Sequence, residues 1–253
     1  MNRRKYKKRK RIVIAYTLRT IVGIIILGML FLMGCGCRYL YEKLTQVKSV
    51  EKYQAQMEQV LSLNVKNEEA EKIGTIVLDA GHGGADVGTS SGEILEKDIN
   101  LDVVMRMKAF LEQKNIEVLL TRSDDDTLSL SERTEIANQS KADLYVSIHC
   151  NYFEENSSIK GLECYYYEES EEGKRIAENI INSVQQNKEI VVRNAKEENF
   201  YVLKQTRIPA VLVELGYLSN PTECKKMTSE GYQETLAMEL ANALESILIE
   251  SLR

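Results

Sequence analysis

Paired cysteine motifs are missing from this chain of 253 residues. Its five cysteines, at 35, 37, 150, 164 and 224, include no Cys-x-x-Cys pair and match no zinc-ribbon or disulfide-framework spacing. The last three are therefore read as small, buried, reduced side chains, with room for one disulfide at most. A basic excess is also missing. Lys and Arg number 33 against 38 Asp and Glu, a formal net charge of −5. Eight of the basic residues sit between Arg3 and Arg11, so the remainder is acidic and disfavours nucleic acid as a partner. Internal repeats and low-complexity tracts are absent. Phosphate loops are absent too. The stretch "GHGGADVG" would need a glycine at 86 to complete a dinucleotide fingerprint, but Asp86 stands there, and no Gly-Lys-Ser/Thr follows. Histidine is nearly absent, with only His82 and His149.

One long stretch lacks charge. Thr20 to Cys37, "TIVGIIILGMLFLMGCGC", is 18 residues bracketed by Arg19 and Arg38. As a helix it would measure about 27 Å, enough to span the hydrocarbon core of a bilayer. The basic block before it keeps the N-terminus in the cytoplasm and sends everything after residue 38 outward. An uncleaved signal-anchor is the favoured reading. A cleavable signal peptide lacks its Ala-x-Ala site, and "LMGC" at 32–35 leaves a lipoprotein signal open. All three readings export the rest of the chain. The expected division is a basic cytoplasmic segment at 1–19, a transmembrane signal-anchor at 20–37, a helix-prone stalk at 38–73 and a folded domain at 74–253. The expected location is a membrane, with the domain on its outer side.

From Gly74 onward, short apolar runs alternate with helical patterns. Strands are expected at 75–79, 116–121, 143–149, 161–167 and 210–215, and helices at 97–115, 130–140, 172–186 and 232–252. That alternation predicts an α/β fold, an open and mostly parallel sheet flanked by helices. In such sheets ligands gather beyond the carboxyl ends of the strands. His82 falls just past one strand end, His149 ends "LYVSIH", Glu214 lies near the end of "AVLVE", and Glu96 begins a helix. Two imidazoles and a carboxylate make the donor set of a catalytic zinc, with a fourth position left for water. A further acid nearby can shuttle protons. Glu214 between Val213 and Leu215 is costly to bury unless it is paired or linked to a metal. Gly81, Gly83 and Gly84 let the backbone turn sharply and leave room for the ion. Cys150 should point to the opposite face from His149.

These residues carry a resemblance. "LDAGHGG" at 78–84, "EKDINL" at 96–101, Thr121-Arg122, "LSLSERTEIAN" at 128–138, "ADLYVSIHCN" at 142–151 and "PAVLVELGYLSN" at 209–220 follow one another in the order and spacing of the zinc-dependent N-acetylmuramoyl-L-alanine amidases of bacterial cell walls. The chain resembles that family from about residue 75 to its end. Ala80 stands where the family usually has proline, and Cys150 where a small residue is usual. The resemblance implies that His82, Glu96 and His149 bind Zn2+ and that Glu214 is the catalytic acid/base. The implied substrate is peptidoglycan, cut between N-acetylmuramic acid and L-alanine. Asn151 and Arg122 are candidate substrate residues, whereas Arg133 and Asn138 are read as support for the fold. Some relatives carry a long inserted helix over the zinc. Here only "EESEEG" follows the "GLECYYY" strand, so an open groove is expected. Two other readings are an inactive wall-binding or scaffold protein of the same fold and a zinc peptidase acting on stem peptides.

Overall fold

Strand β1, Gly74–Ala80, is buried along its whole length, as a strand covered on both faces must be. Ile76, Leu78 and Ala80 face one core, and Val77 faces another. In the computed structural model, which describes residues 19–21, 23–24 and 72–252, β1 is the second strand of a six-stranded sheet. A two-stranded ribbon follows it, β2 (Ser90–Ser91) with β3 (Ile94–Leu95), leading into α1 (Glu96–Gln113). Then come β4 (Ile116–Leu120), α2 (Leu130–Gln139), β5 (Leu144–Asn151), β6 (Leu162–Tyr166) and α3 (Glu171–Val184). The chain ends with β7 (Val192–Glu197), α4 (Tyr201–Gln205), β8 (Ala210–Tyr217), α5 (Pro221–Met227) and α6 (Glu230–Ser251).

The sheet order is β4-β1-β5-β8-β6-β7. The first four strands are mutually parallel, and β6 and β7 run the other way, joined antiparallel at β8. The mostly parallel α/β sheet is therefore as expected, with an antiparallel edge added. Helices α1, α3, α5 and α6 supply one core face. In α6 that face is Leu236, Leu240, Ala243, Leu244 and Ile247, at helical spacing. The other face is covered more lightly, by Ala137 of α2 and Val202 and Leu203 of α4.

Local chemistry sets the helix starts. Ser129 and Glu132 form a reciprocal capping box on α2. Asn220 caps α5 ahead of Pro221. The expected elements lie within two residues of the observed ones, and β2, β3, β7, α4 and α5 are additional. Between β6 and α3 runs only the short turn 167–170, with no inserted helix.

From β1 the chain steps to β4 on one side and returns to β5 on the other. The carboxyl ends of β1 and β5 thus flank the switch point where such sheets place ligands.

Residues 19–21 and 23–24 are helical. The expected span at 20–37 and the stalk at 38–73 otherwise lie outside the described residues, apart from 72 and 73. Among the described residues no helix is long and apolar enough to cross a membrane.

Candidate active site

The loop after β1 delivers His82 to the switch point. Its backbone has φ 61°, a left-handed conformation that costs a non-glycine residue on the order of 1 kcal/mol or more. Neighbouring groups hold it there. Arg133 Nη2 donates to the His82 carbonyl at 2.7 Å, and Gly83 and Asp86 exchange main-chain hydrogen bonds. Arg133 is itself buried, paired through Nη1 with Asp79 Oδ1 at 2.7 Å. Asp79 also accepts from Thr121, Tyr145 and Ser147. Burial alone would raise the Asp79 carboxyl, but the Arg133 charge and the three hydroxyls hold it below its usual range. A rigid charged knot therefore lies directly beneath the histidine loop.

His82 Nε2 lies 3.2 Å from Glu96 Oε1, and His149 Nδ1 lies 3.0 Å from the same oxygen. The two rings stand edge to face at 81°. Donor atoms of His82, Glu96 and His149 all fall within 4.8 Å of one another. Four ligands set tetrahedrally at zinc–nitrogen bonds of about 2.05 Å stand about 3.3 Å apart, so the two separations from Glu96 fit, and a bound ion would draw the two imidazoles together. Glu96 is only 1% exposed and is held firmly. Thr89 N donates to its Oε2 at 2.7 Å, while Cys150 N and Asn100 Nδ2 donate to Oε1. His82 Nδ1 donates to Asp86 Oδ2 at 2.9 Å, which fixes the tautomer that presents Nε2 to the site.

The electrostatics favour positive charge at this point. Burial raises the Glu96 carboxyl, yet the hydrogen bonds and charges of His149 and His82 outweigh it and hold Glu96 well below the usual range. Burial lowers the His82 imidazolium, but Glu96 and Asp86 more than reverse that and lift it to about 9. A bound metal cation would take the place of those protons, because imidazole ligates in its neutral form. The donor set thus fits the ion on both spacing and charge.

Two glycines are required by contact. A side chain on Gly81 would run into the His149 ring, and one on Gly88, where φ is 67°, would meet Glu96 and His82.

Glu214 is the register partner of His149 on the adjacent parallel strand. Its Oε2 is buried without a hydrogen-bond partner. Burial, reinforced by Glu96 and Glu163 and opposed by the histidines, raises its carboxyl to about 7. A cleft of about 590 Å³ opens over His82, His149 and Glu214, walled by Leu130, Phe200 and Tyr201.

The structure therefore gathers all four predicted residues. Arg122 sits differently. It is buried and donates to the carbonyls of Ala80, Gly81, Lys97 and Asp124, so it braces the histidine loop and does not line the cleft. Asn151 is tied down as well, its Nδ2 to Glu163 and its Oδ1 to Tyr152 N. Asn138 bridges Gln205 and Arg207. Cys150 points into the opposite core, and Cys150, Cys164 and Cys224 are free and buried. Sequence reading missed Asp86 and the wall residues Phe200 and Tyr201. Asp86 was legible as an acid four residues past a histidine. The aromatic pair had no signal of its own.

Known proteins resemble this chain. The protein YqiI of Bacillus subtilis is 37% identical over 174 residues, 68% of this chain and 84% of that one. The probable cell wall amidase LytH of Staphylococcus aureus is 36% identical over the same share of this chain, which spans 57% of LytH. The crystal structure of an N-acetylmuramoyl-L-alanine amidase from Clostridium difficile 630 superposes with a TM-score of 0.67 at 34% identity, covering 70% of this chain and 97% of that one. The family described as N-acetylmuramoyl-L-alanine amidase matches residues 76–246, a stretch that contains both histidines, both glutamates and every strand but the first residues of β1. On that match, and with the site assembled at the edge of the same sheet, the chain belongs to the N-acetylmuramoyl-L-alanine amidase family.

Proposed function

We propose that the chain is an exported zinc hydrolase that cuts the amide between the lactyl group of N-acetylmuramic acid and the L-alanine of the stem peptide in peptidoglycan. One observation carries the reading. Three donor atoms within 4.8 Å of one another lie at the floor of an open cleft beside a buried carboxylate that has an unpartnered oxygen.

His82 through Nε2, Glu96 and His149 through Nδ1 would hold the ion. Bound there, zinc supplies a Lewis acid that polarises a carbonyl and acidifies water toward a pKa of ~7. The remaining work belongs to side chains. Glu214, raised to about 7, is poised to take the proton of the attacking water and return it to the departing nitrogen of alanine. Asp86 fixes the His82 ring, and the main-chain donors on Glu96 keep its carboxylate from following the substrate. Leu130, Phe200 and Tyr201 give one side of the cleft an apolar wall.

The N-terminal assignment completes the reading: residues 1–19 cytoplasmic, 20–37 in the membrane, 38–73 a stalk, and 74–253 facing the wall. The uncharged run and the basic block before it support this. Purified peptidoglycan incubated with the protein should release intact stem peptides with new L-alanine amino termini, seen by mass spectrometry and abolished by a chelator. Trimmed stems would instead indicate a peptidase, and no release would indicate a binding protein. Protease added to intact cells should remove the domain and spare residues 1–19.

A further inference from the structure

Beyond Glu214 the active face of the sheet continues onto β6 and β7, and it carries charge there. Glu163 on β6 is the register partner of Glu214. Its side chain is fully buried, and five groups converge on it. Arg193 Nε and Lys196 Nζ meet Oε1 at 2.6 and 2.5 Å. The hydroxyls of Tyr165 and Tyr217 donate to Oε2 at 2.7 and 2.9 Å, with Asn151 Nδ2 at 3.4 Å. One anion thus faces two cations, and both cations keep about 40% of their side-chain surface in solvent. Among the described residues neither forms another ion pair.

The pairing depends on an irregularity. Residues three apart in a regular strand point to opposite faces. Between Leu162 and Cys164 the β6–β7 register shifts, with β7 advancing from Val192 to Ala195 while β6 advances by two. That extra residue turns Arg193 and Lys196 to the same side, and Val192 and Ala195 to the core side. The kink therefore does two things at once: it packs Val192 and Ala195 on the core and sets two cations on the active face.

The patch is continuous with the cleft. Phe200, on the cleft wall, meets the Tyr165 ring edge to face at 5.5 Å, and Lys196 Nζ lies 5.8 Å from the centre of that same ring. The distances suit a peptide. Neighbouring strands lie ~4.8 Å apart, so Glu163 and its cations begin one step from Glu214. Two extended residues span ~7 Å. A ligand whose scissile amide lies by Glu214 therefore brings its second residue to the cations.

We infer that Arg193 and Lys196 form a cationic subsite for the carboxylate carried by the second residue of the stem peptide. The inference rests on the amidase reading. A planar guanidinium beside an ammonium suits a carboxylate, and Glu163 neutralises only one of the two charges. The subsite then distinguishes a stem bearing a free carboxylate at its second residue from one in which that group is amidated.

The test uses the full chain with two soluble muramyl dipeptides, one ending in isoglutamate and one in isoglutamine. The expected kcat/KM ratio, acid over amide, is about tenfold, the size of one partly screened charge-assisted contact. Lys196→Gln leaves Arg193 on Glu163 and should bring the ratio close to one, whereas Lys196→Arg should preserve it. Both substrates meet the same sample, so partial unfolding cancels from the ratio. A wild-type ratio near one, or a Lys196→Gln ratio equal to wild type, overturns the subsite and leaves the amidase reading standing. Failure to free an L-alanine terminus from either dipeptide or from peptidoglycan overturns both.

Discussion

Replacing Asp79 by Asn tests whether the knot beneath the histidine loop is held by charge. Asp79 is wholly buried and accepts four side-chain hydrogen bonds, from Arg133 and Thr121 on Oδ1 and from Tyr145 and Ser147 on Oδ2. Asparagine keeps the shape. The Tyr145 and Ser147 hydroxyls can rotate to accept from its amide, so the neutral bonds survive. What is lost is the counter-charge of Arg133, itself buried and left with neutral acceptors alone, the amide oxygen at 79 and the carbonyls of Ala80 and His82. An uncompensated buried charge costs about 3–5 kcal/mol, out of a total stability of about 5–15. At ~2–4 °C per kcal/mol for a domain of this size, the midpoint should fall by ~6–20 °C. The pH dependence has a definite sign. The folded carboxyl is depressed, so its contribution is present above the unfolded value near pH 4 and is lost as pH falls through the folded value. The gap between wild type and Asp79→Asn should narrow below pH ~4. Arg133→Met in the Asp79→Asn background removes the stranded charge, so the two losses should fall short of adding by about 2 kcal/mol or more. Urea unfolding of the four proteins reads all of this. A single-variant loss under ~1 kcal/mol, or additive losses, refutes the reasoning.

Glu214→Gln should lower kcat by about 10²–10⁴ without loss of bound metal, because it removes the proton shuttle and no ligand. The same change should raise the midpoint of the metal-free protein above pH 7, since it ends the cost of ionising a buried carboxylate. In wild type, kcat/KM should fall about tenfold per unit on the acid side of the Glu214 titration, which lies at about 7 in the metal-free protein and lower beside a cation; an identical acid limb in Glu214→Gln would exclude Glu214 as the base. Gly81→Ala should push the His149 ring out of place and weaken metal affinity by about tenfold or more, measured by competition with a chelating dye; unchanged affinity would show that the close approach does not constrain the ring.

The site was largely legible because its parts sit at strand ends. Apolar runs placed β1, β5 and β8, and a histidine or glutamate closing each run was conspicuous against a chain with only two histidines. Burial of Glu214 in "AVLVE" followed from its neighbours. Edge and short elements were not legible. Strand β7, "VRNAKE", is half exposed and holds a bulge, so no alternation survives in its sequence. Helix α4 has five residues, too few to show a helical period. The role of Arg122 was hidden for a different reason. Nothing local distinguishes a guanidinium that reaches substrate from one that caps four carbonyls, and only the fold around it decides.

The central claim is that His82, Glu96 and His149 grip one zinc ion. Elemental analysis of the purified chain, supplied with zinc and then dialysed, tests it most directly. The expected result is one zinc per chain in wild type and Glu214→Gln, and almost none in His149→Ala. A wild-type chain that retains no zinc, or a His149→Ala chain that retains a full equivalent, would contradict the claim.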